Sequence, residues 1–312
     1  MHGTPEAVHS VSAVPANVQP FFVLGAQRSG TTMLRLMLNN HPRLAIPHET
    51  VFITQFFHKL QHYGDLTKAD NRRALLDHVA AHPLVLRGKL IPDKAAVLAK
   101  EPHSYASLID AIMTSYAESR AKLRWGDKTP YYTPDIDILN GIFPRAKFIH
   151  MLRDGRDVAL SQRKIDWCSS NSFRLAQDWM WKITICHKVG RVLGPERYLE
   201  LRYEDLVRDP EFSLRRACEF LGEDFDGRML QYHETAQDVV PAESLKWHRN
   251  SVQPPDTSKV FAWKTALPES DRVIFEEIAG DTLEYFGYER TPLTPTLVTK
   301  LRKMYLTVVH RW

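Results

Sequence analysis

The sequence predicts an α/β fold: a P-loop-like central parallel sheet with helices on both faces. Three observations carry that prediction. The run Phe21-Phe22-Val23-Leu24-Gly25 is short, apolar and ends on glycine, which reads as a buried strand. Gly30 to Asn40 follows, with Met33, Leu34, Met37 and Leu38 at helical spacing. The same succession recurs at Lys147–Leu152 and residues 157–164, and strands alternating with helices favour a parallel sheet.

Taken in order, residues 1–19 hold Pro, Ser, Ala and Asn with few large apolar side chains, so a flexible tail is expected. Strand 21–25 leads into helix 30–40. His41-Pro42 closes that helix, because the residue before a proline avoids the α region. Residues 50–120 read as mostly helical, with the best spacing over Asn71–Ala81 and Tyr105–Ala117. Strand 147–152 and helix 157–164 come next, then a long Trp- and Ile-rich helix over 173–192. Alternation marks Arg197–Arg202 as a third strand, and helix Glu211–Leu221 stops at Gly222. The stretch 241–265, with Pro241, Pro254 and Pro255, reads as a long loop of the kind that often carries function. Leu297–Trp312 is amphipathic and basic: Lys300, Arg302, Lys303 and Arg311 accompany Leu297, Leu301, Tyr305 and Val308. One domain over 20–290 is therefore expected, with 291–312 packed as a helix on it or on a partner. A helix lying on a membrane surface is the rival reading.

Composition narrows the function classes. At 312 residues and 44% hydrophobic content, the chain can bury the core of one large α/β domain. A net charge of +4 without a concentrated basic stripe argues against a nucleic-acid partner. The three cysteines are widely spaced and none lies in a CxxC, so free thiols are expected rather than a disulfide framework or zinc site. No apolar run approaches about 18 residues, and no basic-then-apolar leader opens the chain. The expected location is the cytoplasm, with no transmembrane segment. A homodimer is left open.

The chemistry concentrates in Gly25-Ala-Gln-Arg28-Ser-Gly30-Thr31-Thr32, between the first strand and its helix. Backbone N–H groups and the helix dipole make such a turn a phosphate site. Its spacing approaches GxxxxGK[ST], but Thr31 occupies the lysine position and the cation is Arg28. That departure disfavours a magnesium triphosphate and suits a mononucleotide 5′-phosphate bearing a second anionic group. Arg153 ends the second strand and Ser161 follows eight residues later, so both belong near the carboxyl edge of a parallel sheet. No His/Asp/Glu cluster has metal-ligand spacing. His41 at a helix end and His150 within a strand read as structural.

Arg28-Ser-Gly-Thr-Thr-Met-Leu-Arg-Leu-Met-Leu-Asn-Asn-His-Pro resembles the 5′-phosphosulfate loop of sulfotransferases that use 3′-phosphoadenosine-5′-phosphosulfate (PAPS). The likeness continues through Ile46-Pro-His-Glu49-Thr50, Trp125-Gly-Asp-Lys128-Thr-Pro130, the segment Arg153–Ser161, Arg202–Leu206 and Trp263-Lys264. It covers roughly residues 20–290 and is nearest in pattern to tyrosylprotein sulfotransferases and their bacterial relatives. The resemblance implies transfer of a sulfuryl group from PAPS to a hydroxyl-bearing acceptor, releasing adenosine 3′,5′-bisphosphate without a metal. It implies Gln27, Arg28, Ser29, Gly30, Thr31 and Thr32 around the 5′-phosphosulfate, and Arg153 and Ser161 on the 3′-phosphate. It further implies Tyr203 and Lys264 as nucleotide contacts, and Ser251 or Ser258 as a loop donor. It implies Glu49 as base, with His48 as the rival, Lys128 at the bridging oxygen and Arg28 on the transferring group. The cytosolic small-molecule branch places a histidine after the lysine, and Lys128-Thr-Pro-Tyr has none. The acceptor expected is a small molecule, a glycan, a lipid or a peptide tyrosine. A P-loop nucleotide kinase and a non-catalytic PAPS-binding protein are the alternatives.

Overall fold

The structure is a computed structural model that describes residues 19–165, 168–291 and 296–308. The expected tail lies almost wholly outside the described residues, as do Arg311 and Trp312.

Five strands form one all-parallel sheet: β1 (Phe21–Leu24), β2 (Leu44–Ala45), β3 (Arg124–Lys128), β4 (Lys147–Leu152) and β5 (Tyr198–Arg202). Their order is β2-β3-β1-β4-β5, with β1 in the middle. Phe22 of β1 stands opposite Asp127 on one side and Phe148 on the other. Alternate β1 side chains enter different cores. Phe22 and Leu24 pack with the helical region around Tyr105–Ala117, while Phe21 and Val23 pack with Met33, Leu34 and Leu38. Burial on both faces explains why β1 reads as an unbroken apolar run.

The helices include α1 (Thr31–Asn39), α2 (Tyr105–Glu118), α3 (Gly155–Gln162), α4 (Ser172–Leu193), α5 (Tyr203–Arg208), α6 (Ala242–His248), α7 (Glu269–Tyr285) and α8 (Leu297–Val308). Expected and observed elements agree within a few residues for β1, α1, α2, β4, α3, α4, β5 and the helix Pro210–Leu221. The region 50–120 is helical, as its spacing indicates.

Two differences have physical causes. β3 escapes an apolar-run criterion because it reads Arg-Trp-Gly-Asp-Lys. Its Asp127 and Lys128 are each 1% exposed, so this inner strand carries buried charge where hydrophobic patterning expects none. Gly126 is required there, since an added Cβ would meet the Phe21 ring at 2.5 Å. The stretch 241–265 is not one loop. It holds α6, a 3-10 turn at Thr257–Lys259 and the short helix Trp263–Ala266. Pro241 sits just before α6, where a missing N–H breaks no helical bond. β5 stops at Arg202, and Tyr203 opens α5.

The parallel arrangement puts the carboxyl ends of all five strands on one edge. β1 runs into the glycine loop, β2 into Ile46–Glu49, β3 ends on Lys128, β4 precedes Arg153, and β5 precedes Tyr203. Ligands of open parallel sheets bind in the crevice on that edge.

Candidate active site

The glycine loop is shaped by close approaches. Gly25 has φ +149°, and an added Cβ would lie 2.7 Å from the Met151 carbonyl oxygen. Gly30 has φ +87°, and an added Cβ would lie 2.4 Å from the Tyr203 ring. Gly30 also caps α1 without any side-chain cap, so the first-turn amides after it face the loop. Gly30→Ala should therefore destabilise the fold by about 1–3 kcal/mol, from positive-φ strain and displacement of Tyr203. Urea denaturation measures it, and an unchanged midpoint would contradict the tight packing described.

Arg28 is the loop's cation and sits at φ +74°, an uncommon position for a residue with a Cβ. Its Nε donates to Ser161 Oγ at 3.0 Å and its Nη1 to the Trp247 carbonyl at 2.8 Å. One side chain thus ties the glycine loop to α3 and to α6. Gln27 Oε1 accepts from Lys182 Nζ of α4 at 2.5 Å.

Arg153 leaves the end of β4 and lies over the Tyr203 ring, 3.9 Å from its centroid. Its Nη1 donates to the Arg28 carbonyl and its Nη2 to the Lys259 carbonyl, both at 2.9 Å. Its Nε is buried and, among the described residues, has no partner. The neighbouring charges divide their roles. Arg156 turns away into the core, where it binds Asp154 at 2.8 Å and Glu276 at 2.6 Å and stacks on Trp263. Asp157 accepts the backbone N–H groups of Phe261 and Trp263, each at 2.8 Å. Burial pushes the Asp157 carboxyl up to about 6 despite those bonds. Asp157 fastens the segment whose Lys259 carbonyl holds Arg153.

Glu49 and Lys128 meet beside the start of α1. Lys128 Nζ donates to Thr32 Oγ1 at 3.0 Å and forms an ion pair with Glu49 Oε1. The lysine side chain is 1% exposed and the glutamate 22%, so the carboxylate is the solvent-facing partner. Burial opposes charge on Glu49, but the Lys128 ammonium outweighs it and holds the carboxyl below its usual value. Asp127 supports the pair from behind, accepting from Thr50 and Thr129 at 2.9 and 2.8 Å. Two histidines flank the carboxylate with ring centroids 6.2 Å apart. Burial pushes His48 down to about 4 and His248 to about 3. Each is therefore a neutral imidazole near neutrality, and each has a buried Nδ1 without a partner among the described residues.

These groups line one cleft of about 540 Å³. Gln27, Arg28, Gly30, Thr31, Thr32, His48, Glu49, Arg153, Ser161 and Tyr203 all face it. Lys128 lies just behind, bonded to two of them. Ser29 is wholly buried beneath the loop. The helical region contributes Leu84 and Arg87, and the stretch after Pro241 contributes Ser244, Trp247 and His248. Ser251 lines the cleft, while Ser258 is not among its lining residues. Lys264 is a correction. Its ammonium pairs with Glu289 at 3.0 Å on the exposed surface, and the lysine that lines the cleft from this segment is Lys259. The short helix begun at Trp263 turns Lys264 outward while Trp263 is buried. His41 and His150 are structural, bonded to the Asp224 carbonyl and the Tyr198 hydroxyl.

The sequence reading missed His248, Asp157 and the Trp247 carbonyl. Asp157 had a signal, lying four residues after Arg153 on a helix. The other two had none, because only the fold brings α6 over the glycine loop.

Residues 20–227 match the family model described as Sulfotransferase family. The chain is 27% identical over 277 residues to the protein-tyrosine sulfotransferase A of Caenorhabditis elegans, covering 86% of this chain and 67% of that protein. It is 26% identical over 318 residues to the omega-hydroxy-beta-dihydromenaquinone-9 sulfotransferase Stf3 of Mycobacterium tuberculosis, covering 87% and 76%. Against the Drosophila melanogaster protein-tyrosine sulfotransferase it spans 47% of that protein's length. Among solved structures, the sulfotransferase domain of the Synechococcus PCC 7002 olefin synthase aligns with a TM-score of 0.60 and 27% identity, covering 88% of this chain and 98% of that one.

Proposed function

This chain belongs to the sulfotransferase family, and from that premise we propose that it transfers a sulfuryl group from PAPS to a hydroxyl acceptor. The observation that carries the reading is the bond from Arg28 to Ser161, 133 residues apart. It joins the 5′-phosphosulfate loop and the 3′-phosphate segment in one cleft, as a donor with phosphates at both ends of its ribose requires.

In this reading Gln27, Gly30, Thr31 and Thr32 surround the 5′-phosphosulfate, and Ser29 supports the turn from beneath. Arg153, with its unpartnered Nε, and Ser161 take the 3′-phosphate, and Tyr203 packs beneath Arg153. Glu49 removes the acceptor proton. Lys128 neutralises the leaving oxygen, and Arg28 the equatorial oxygens of the sulfuryl group. Positioning and charge stabilisation then supply most of the rate, as in phosphoryl transfer. The ion pair has a consequence. While Lys128 is bonded to Glu49, the carboxylate is a weak base. When Lys128 turns towards the donor, Glu49 loses its strongest counter-charge and its proton affinity rises. Base strength is therefore coupled to donor binding.

A hydroxyl acceptor agrees with the names of the relatives, one acting on protein tyrosine and another on a hydroxylated menaquinone. The cleft is also lined by Leu84, Arg87, Tyr131 and Trp247, which would determine the acceptor.

The test is calorimetric titration with adenosine 3′,5′-bisphosphate against ADP and ATP without magnesium, followed by turnover of PAPS with phenolic and aliphatic alcohols. Selective binding of the bisphosphate is expected. Preference for ATP would overturn the reading in favour of a kinase. Bisphosphate binding without any turnover would favour a non-catalytic binder. Arg153→Ala should weaken the bisphosphate by about 10- to 100-fold, since a charge-assisted bond contributes roughly 1.5–3 kcal/mol. Adenosine 5′-phosphate should weaken far less. Equal losses for both ligands would remove Arg153 from the 3′-phosphate.

A further inference from the structure

α8 presents its apolar stripe to solvent. Leu297, Leu301, Met304 and Tyr305 are 72%, 52%, 60% and 63% exposed. At 3.6 residues per turn they fall on a single face. They are four of the twelve exposed large hydrophobic side chains found among the described residues, gathered on one 12-residue helix. Such concentration marks a contact surface, whereas singly scattered apolar residues mark nothing. The helix packs against α7 and α4 through the opposite side, where Thr299 is 5% exposed. Thr296 opens the helix, its hydroxyl accepting the Thr299 N–H at 3.2 Å. The packing expected for this stripe is thus made by the other side of the helix.

Charge selects the occupant. Thr296 to Trp312 contains Lys300, Arg302, Lys303 and Arg311 and no aspartate or glutamate. Exposed Lys300 stands about 80° around the helix from the middle of the stripe. A second copy would bring this basic, acid-free segment against itself. An anionic lipid surface accepts both features at once: apolar side chains enter the acyl boundary, and the cations meet lipid phosphates. We propose that α8 docks this protein on anionic membranes, lying in the plane of the interface. No helix among the described residues is long and apolar enough to cross a membrane, so the contact is a surface one. The inference is independent of the catalytic reading, because none of the described side chains of α8 lines the cleft.

Co-sedimentation of the full chain with vesicles tests it, comparing pure phosphatidylcholine with phosphatidylcholine containing about one third phosphatidylglycerol. Partition onto the anionic vesicles alone is expected, weakened by high salt. Leu301→Glu with Tyr305→Glu should reduce it at least tenfold, and Lys300→Glu should reduce it more modestly. Bisphosphate affinity should stay unchanged in both variants, which shows that the fold is intact. Absence of partition by the unmodified chain would overturn the proposal. So would partition that the double variant retains. A dimer in sedimentation velocity that the double variant dissociates, from a chain that ignores both vesicles, would assign the stripe to a second copy.

Discussion

Replacing Glu49 with glutamine is expected to lower kcat by about 10²–10⁴-fold, the usual contribution of a positioned general base. Bisphosphate affinity should change by less than about threefold, because the proposed donor site lies in the glycine loop and at Arg153. Glutamine preserves the size of the side chain, and its amide oxygen can still accept from Lys128, so the geometry should survive. The change removes only the capacity to take a proton. His48→Asn is the companion measurement, since His48 is a neutral imidazole on the same cleft wall. Full activity in Glu49→Gln together with a collapsed rate in His48→Asn would transfer the role to His48. Single-turnover rates with pre-bound PAPS would separate this chemical loss from product release.

Lys128→Met should have the second large effect, a fall in kcat of about 10²–10³-fold from loss of the cation opposite the developing charge. Two further signatures are expected. The variant should lose about 1–3 kcal/mol of stability at neutral pH, because Glu49 is left without its partner; solvent at the glutamate keeps this below the cost for a fully buried pair. The Glu49 carboxyl should also titrate higher than before, with burial no longer opposed by the ammonium. The sign follows from the linkage. A carboxyl held below its unfolded value adds stability above that value, and the contribution is lost as pH falls through the folded pKa. The unmodified protein should therefore lose this increment only in acid, and Lys128→Met should lack it at every pH. Wild-type turnover in Lys128→Met would exclude the proposed role.

The coupling between these residues also predicts their combination. Because Lys128 and Glu49 touch, their effects should not add. The double variant should be only slightly worse than the poorer single one if the pair acts as a unit in one step.

Much of this arrangement is written locally in the chain. The apolar run of β1, the glycines at 25 and 30 and the helical spacing after them specify a strand, a turn and a helix within about 20 residues. Arg28, Arg153, Ser161 and Glu49 sit at fixed offsets from such elements, so they could be named before any fold was known. The kinase alternative weakened at one position, Thr31. Other features depend on distance through space. β3 is a strand because it lies between β1 and β2, where sheet hydrogen bonds override a polar and glycine-containing sequence. Lys264 and Lys259 are both cations on one short segment, and only the direction of the chain around Trp263 decides which one enters the cleft.

The sequence by itself determined the fold class, the glycine loop and the residue types that surround it, because each is a short-range pattern of sterics and hydrophobic period. The tertiary structure decided the pairing of Glu49 with Lys128, the link from Arg28 to Ser161 and α6, and the outward face of α8. Those depend on which strands become neighbours and which helix face finds a partner, and residues over a hundred positions apart do not signal that locally.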